Sequence, residues 1–192
     1  MTTIKTIDSR AQLNNGVQMP YLGFGTYEPE RGEPLKDSVG LALECGYGLV
    51  DTAASYRNER QVSLALAESA IPRSEIFVTT KVWNGDQGYE PTYRACRQSL
   101  AELVLDYVDL YLVHWPMEKW LSLETRRAMI RLRDEGKCRA IGVANFTVPQ
   151  LEYLMAEASV VPAVNQVEVH PFYFPKGLAG VLPGSGHSTR SL

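Results

Sequence analysis

Cysteine is scarce in this 192-residue chain, and Cys45, Cys96 and Cys138 are odd in number and far apart. That excludes a disulfide framework and fits reduced, buried thiols in a cytoplasmic protein. Histidine is equally rare, and His114, His170 and His187 share no ligand-like spacing with any cysteine, so no metal site is expected. No apolar run nears the ~20 residues of a membrane span. Met1 to Arg10 lacks the basic end and apolar core of a signal peptide. There is no excess of basic charge: the net charge is -3, which argues against nucleic acid and anionic membranes as partners. Also missing is a Gly-x-Gly-x-x-Gly after the first apolar strand, the main sequence argument for a Rossmann-type sheet.

What is present is a regular alternation. Asn15-Gly16 between Ala11–Leu13 and Val17–Met19 predicts a hairpin with a type I′ turn. Short apolar runs then follow at 22–24, 49–50, 76–80, 108–113, 140–143 and 163–167. Between them lie stretches with helical spacing. Pro34 opens the first, with Val39, Ala42, Leu43 and Cys45 on its buried face and Gly46 ending it. Asn58 with Gln61 predicts a capped second helix that buries Val62, Leu64, Ala65 and Leu66. Pro91 opens the third, along which Tyr93, Cys96, Leu100 and Leu103 are apolar. Met129, Ile130 and Leu132 mark the fourth, which closes at Glu135-Gly136. Thr147-x-x-Gln150 is a capping box for the fifth, with Leu151, Leu154 and Met155 inward.

Six strands alternating with five helices over short loops imply right-handed crossovers and a parallel sheet covered on both faces. The fold class expected is α/β: an incomplete TIM (β/α)8 barrel of about six parallel strands with an N-terminal β-hairpin. Residues 1–175 form the barrel part, and 176–192, with glycines, a proline and scattered hydroxyls, an aberrant, disordered tail. In such barrels chemistry gathers at the C-terminal strand ends. There the chain places Asp51, Lys81 and His114 after three successive strands, with Tyr56 in the loop after Asp51. Asn145 follows the fifth strand, and Gln166 and Glu168 lie at the end of the sixth. Singly, each has a plain structural explanation: a turn cap, a solvated lysine, a packed aromatic, a core histidine. Their recurrence at one end is harder to explain that way.

Those residues carry a resemblance. Gly46-Tyr47-x-x-Val50-Asp51-Thr52-Ala53-x-x-Tyr56-x-Asn58-Glu59, Thr80-Lys81-Val82-Trp83 and Asp109 through Pro116 resemble signature segments of the aldo-keto reductases. Gly136-Lys137-x-Arg139 through Phe146 and Asn165-Gln166-Val167-Glu168-x-His170-Pro171 continue the likeness in the family's order. It spans Leu13 to Phe174 and is nearest to prokaryotic diketogluconate and methylglyoxal reductases. The resemblance implies NAD(P)H-dependent reduction of an aldehyde or ketone, a small carbonyl substrate and NADPH (NADP) as cofactor. It implies a tetrad in which Tyr56 is the general acid, Lys81 lowers the phenol's pKa, Asp51 holds Lys81, and His114 orients the carbonyl oxygen.

By the same resemblance Thr26, Asp51, Asn145 and Gln166 contact the nicotinamide half of the cofactor. Tyr27, Trp83 and Trp115, with His114, line the substrate pocket. Ala144 stands where the family commonly has serine, so one hydrogen bond to the cofactor is absent. Beyond Phe174 the pattern stops, as a change of reading frame near residue 177 would make it. The family's phosphate-binding region is not legible there, which implies weak cofactor binding and open barrel edges available for non-specific self-association. A second reading is therefore an inactive truncated fragment, or a cofactor-sensing barrel without the phosphate site.

Overall fold

The computed structural model describes residues 6–27, 35–157, 160–173 and 189–190. Strands β1 (Arg10–Gln12) and β2 (Gln18–Pro20) pair antiparallel, with Ala11 opposite Met19. The turn between them differs from the type I′ expectation. Gly16 N–H donates to the Leu13 carbonyl and Leu13 N–H to Val17, giving a three-residue loop in which Gly16 takes φ +86°. Asn15 is not left-handed, and a glycine in that conformation closes loops of this length without strain.

The main sheet runs in order β3 (Phe24–Gly25), β4 (Leu49–Asp51), β5 (Phe77–Val82), β6 (Val108–Val113), β7 (Cys138–Ala144) and β8 (Asn165–Gln166), all neighbours parallel. Helices α1 (Leu35–Glu44), α2 (Glu59–Glu68), α3 (Tyr89–Leu103), α4 (Lys119–Asp134) and α5 (Val148–Glu157) cross over between them. This is the expected partial barrel with its hairpin. One correction concerns its edge. Thr189–Arg190 adds a short strand, β9, parallel to β8, so the sixth barrel strand is not an unpaired edge. Ladder bonds use backbone groups alone, so the lack of a strand-like side-chain pattern there does not prevent them. Pro34 and residues 174–188 lie outside the described residues, and with them most of the segment read as a tail.

Two apolar layers sandwich the sheet. Outside, Val50, Val78, Tyr111, Val113 and Ile141 meet helix residues such as Val39, Val62, Cys96, Met129 and Leu151. Inside, Leu49, Phe77, Leu110, Leu112, Ala140 and Val164 pack with Leu13 and Met19 of the hairpin. Strand alternation accounts for the split, since successive side chains face opposite sides. At the N-terminal end, buried Asp109 accepts hydrogen bonds from Arg73 (2.9 Å), Arg139 (2.8 Å) and the Val78 N–H. This clamp lies at the end of the strands away from Lys81 and His114.

Several helix details depart from expectation. Cys45 is exposed, whereas Cys96 and Cys138 are buried, and all three are free thiols. Leu64 is exposed as well, because the buried face of α2 is Glu59, Val62, Ser63 and Ala65. The capping box holds: Gln150 Oε1 accepts from the Thr147 N–H and hydroxyl, both at 2.9 Å. Among the described residues no helix is long and apolar enough to cross a membrane.

Gly142, on the inner face of β7, is required sterically. A Cβ there would lie 2.6 Å from the Val164 carbonyl oxygen and 2.8 Å from Leu112 Cδ2. The neighbouring backbone cannot yield cheaply. Gly142→Ala is expected to destabilise by about 1–3 kcal/mol, read as a lower urea midpoint with unchanged m.

Candidate active site

The alternation that fills the barrel interior also builds its mouth. Leu49, Phe77, Leu112 and Val164 point inward. Farther along the same inward-facing rows come Asp51, Lys81 (after Thr79), His114 and Gln166, which are all buried. Parallel register sets Asp51 beside Thr79 and Lys81 beside Leu112, so Asp51, Lys81 and His114 step up by two residues from strand to strand, and the long Lys81 side chain reaches back to Asp51. Four separate strands thus deliver a carboxylate, an amine, an imidazole and an amide to one place.

Their contacts are direct. Lys81 Nζ donates to Asp51 Oδ1 at 2.5 Å, to the Thr52 carbonyl at 3.1 Å and to the Tyr56 hydroxyl at 3.4 Å. Gln166 Nε2 donates to Asp51 Oδ2 at 2.9 Å. Tyr56 reaches the cluster from a 3-10 turn, Ala54–Tyr56, that follows β4. Its ring lies edge-on to His114, with centroids 5.5 Å apart, and 5.1 Å from the ring of Tyr27. Asp51, Tyr56, Lys81 and His114 therefore form one constellation.

The electrostatics correct one expectation. Lys81 does not lower the Tyr56 pKa: burial first, then the Asp51 carboxylate and Tyr27, push the phenol above its ordinary value. The ammonium's shortest contact is with Asp51, at 2.5 Å, and the phenol oxygen lies farther from it, at 3.4 Å. Tyr56 therefore keeps its proton throughout the neutral range. His114 shifts the other way, to about 4, through burial and then the Lys81 charge, partly opposed by Asp51. It is a neutral imidazole at pH 7.

This shift has a consequence for stability. An unfolded histidine binds a proton below about 6.5, whereas folded His114 does so only below about 4. Between those values the unfolded chain holds the extra proton, so stability falls as pH drops through the window. Urea unfolding from about pH 7 to about pH 4 should show that slope, and His114→Gln should lose His114's share of it.

The remaining candidates divide. Thr26 is buried, and its N–H donates to the Asp51 carbonyl at 2.9 Å, but its hydroxyl has no hydrogen-bond partner among the described residues. Asn145 adopts φ +64°, which asparagine tolerates, and its Nδ2 donates to the His114 carbonyl at 3.0 Å. Its N–H donates to the Gln166 carbonyl at 2.8 Å. Gln166 Oε1 is buried and accepts no hydrogen bond among the described residues. Trp83 stands edge-on to His114 at 5.3 Å between centroids. Tyr27 and Trp115 are open to solvent at 68% and 47%, and Trp115 makes no ring contact with the tetrad among the described residues. Glu168 does not join the site: it is exposed and pairs with His170 at 3.1 Å.

Two supporting residues escape a sequence reading. Asn58 does not cap α2 with its side chain. It donates to the Thr26 carbonyl at 2.8 Å and accepts from the Thr52 hydroxyl at 3.1 Å, tying β3 to the loop that carries Tyr56. Ser55 places its Oγ 3.3 Å from His114 Nδ1. Neither role has a local signal, because both partners are distant in sequence or in an unpatterned position.

Comparison with known proteins gives a consistent answer. The sequence model of the Aldo/keto reductase family matches residues 21–182, eight residues beyond Phe174, where the resemblance legible in the sequence stops. The chain is 46% identical over 181 residues to a glyoxal reductase of Bacillus subtilis, covering 94% of this chain and 65% of that protein. Among solved structures, an aldo/keto reductase from Brucella melitensis superposes with a TM-score of 0.81 at 48% identity, over 84% of this chain and 63% of that one. A Bombyx mori aldo-keto reductase in complex with NADP superposes with a TM-score of 0.78 at 35% identity, over 83% of this chain and 58% of that one. The chain thus spans less than two thirds of the length of each.

Proposed function

The chain belongs to the aldo/keto reductase family, and on that premise we propose that it carries the catalytic half of an NADPH-dependent carbonyl reductase. The observation behind this reading is the joint hydrogen bonding of Asp51, Lys81 and Tyr56, with His114 packed on the phenol. The substrate class is a small aldehyde or ketone, as the name of the Bacillus subtilis relative suggests.

The residues present fit a nicotinamide. Two buried polar atoms, the Thr26 hydroxyl and Gln166 Oε1, have no hydrogen-bond partner among the described residues. Leaving such an atom unsatisfied costs about 1–3 kcal/mol. A ribose hydroxyl and a carboxamide N–H supply the groups these atoms lack. Thr26, Asn145 and Gln166 would hold the cofactor's reactive end; the Bombyx mori relative is one solved in complex with NADP. When bound, the reduced nicotinamide supplies hydride; all other steps fall to the protein.

His114 is neutral at pH 7, so it can offer one N–H to the carbonyl oxygen without adding a charge. As hydride reaches the carbon, negative charge gathers on that oxygen, where an N–H and an O–H donor lower its energy. Tyr56 then gives its proton to the oxygen. Its raised pKa suits this role, since an alkoxide is a stronger base than any phenolate. Lys81 holds the phenol oxygen at 3.4 Å and restrains its direction. Asp51 keeps the amine charged and fixed in a site that excludes water. Tyr27 and Trp83 present apolar walls at the mouth.

The inactive or purely cofactor-sensing reading is not favoured, because Asp51, Lys81 and Tyr56 are hydrogen-bonded together and His114 packs on the phenol. Loss of NADPH absorbance with methylglyoxal or a nitrobenzaldehyde tests the proposal. Turnover that needs both cofactor and carbonyl supports it, and no turnover with either substrate counts against it.

A further inference from the structure

Ser55 sits one residue before Tyr56, in the same 3-10 turn, yet its side chain is aimed at a different strand. Its Oγ lies 3.3 Å from His114 Nδ1, across 59 positions of sequence. The other imidazole nitrogen, Nε2, makes no hydrogen bond among the described residues. His114 is otherwise fixed by packing: Tyr56 and Trp83 stand edge-on to its ring, and its own N–H donates to the Val82 carbonyl at 3.2 Å. Ser55 is thus the side chain that addresses the imidazole's protonation pattern.

A neutral imidazole has one N–H and one lone pair, and the partner of one nitrogen decides the state of the other. A serine hydroxyl can donate or accept. A carbonyl oxygen can only accept. The two demands are met together in one arrangement: Ser55 O–H donates to Nδ1, and the ring proton resides on Nε2. In the opposite tautomer Nδ1–H donates to Ser55, and Nε2 turns a lone pair toward the substrate oxygen, which repels it.

We infer that Ser55 is a positioning residue that sets the tautomer of His114, holding the proton on Nε2 so that this nitrogen can donate to the substrate carbonyl. The role in catalysis rests on the reductase reading above; the tautomer itself does not. The geometry also links the two donors to one turn. Ser55 addresses His114 while the next residue carries the phenol, so any shift of Ala54–Tyr56 moves both together.

The test is nitrogen-15 NMR of imidazole-labelled protein without cofactor, with the His114 signals assigned by their loss in His114→Gln. Wild type is expected to show a protonated Nε2 and an unprotonated Nδ1. Ser55→Ala should shift the signals toward a mixture of tautomers, and Ser55→Thr, which keeps the hydroxyl, should restore the wild-type pattern. In the NADPH assay, Ser55→Ala should lower kcat/KM for the carbonyl about tenfold with unchanged NADPH affinity. A proton on Nδ1 in wild type, or identical tautomers in wild type and Ser55→Ala, would overturn the inference. Should Ser55→Ala not fold, the wild-type spectrum and Ser55→Thr still decide it. A correct tautomer shift in a protein without reductase turnover would refute the functional reading and leave the tautomer assignment standing.

Discussion

Tyr56→Phe is expected to lower kcat for carbonyl reduction by roughly 10²–10⁴-fold while leaving the fold and NADPH affinity unchanged. The variant removes one oxygen whose one hydrogen bond among the described residues is the long 3.4 Å bond from Lys81. Ring packing against Tyr27 and His114 needs no hydroxyl and survives. Little stability should therefore be lost, which separates a chemical effect from a structural one. The raised phenol pKa adds a second signature. Because Tyr56 stays protonated, its share of the wild-type reduction rate should not fall with pH up to about 9. A phenol made acidic by Lys81 would titrate earlier and show a falling limb near neutrality.

A different kind of loss is expected for Lys81→Met. The amine and the Asp51 carboxylate are both almost wholly buried and 2.5 Å apart. Removing one partner leaves an uncompensated charge in the barrel mouth, at a cost of about 3–5 kcal/mol. Gln166 Nε2 still donates to the carboxylate and tempers the effect. The double variant Asp51→Asn with Lys81→Met should recover much of that stability, since it removes both charges together. Neither variant should turn over, as the phenol has lost its anchor in each. Urea unfolding of Lys81→Met, of Asp51→Asn alone and of the double variant gives the coupling free energy, and a value near zero would mean that the pair is solvated rather than buried.

Much of this site can be read from the chain, for a definite reason. Asp51, Lys81, His114 and Gln166 follow apolar strands, and parallel pairing fixes which end of each strand faces the mouth. Alternation inward from Leu49, Phe77, Leu112 and Val164 then fixes their direction. Glu168 shows the limit of that logic: it also follows a strand, but beyond the paired residues of β8, where alternation no longer constrains it. Asn58 illustrates another. Its place before a helix suggests a cap, yet the Thr26 carbonyl after β3 and the Thr52 hydroxyl after β4 compete for the side-chain amide and win it.

Electrostatic detail is the least legible part. Nearness to Lys81 suggests an acidic phenol, but the shift depends on how closely Asp51 holds the amine and on how much of the ring is covered. Both are matters of three-dimensional distance. Local turn geometry is similarly hidden. Asn15-Gly16 signals a hairpin, while the loop type follows from Leu13 pairing with Val17. Cys45 and Leu64 lie one position off the buried stripe of their helices, within the uncertainty of any periodic reading.

Isotope transfer tests the central claim most directly. The protein would be incubated with NADPH deuterated at the transferable C4 position and an aldehyde, and the alcohol analysed by mass spectrometry. One deuterium on the former carbonyl carbon is expected, with the wild-type rate lost in Tyr56→Phe. An unlabelled alcohol, or labelled product formed equally fast by Tyr56→Phe, would contradict it.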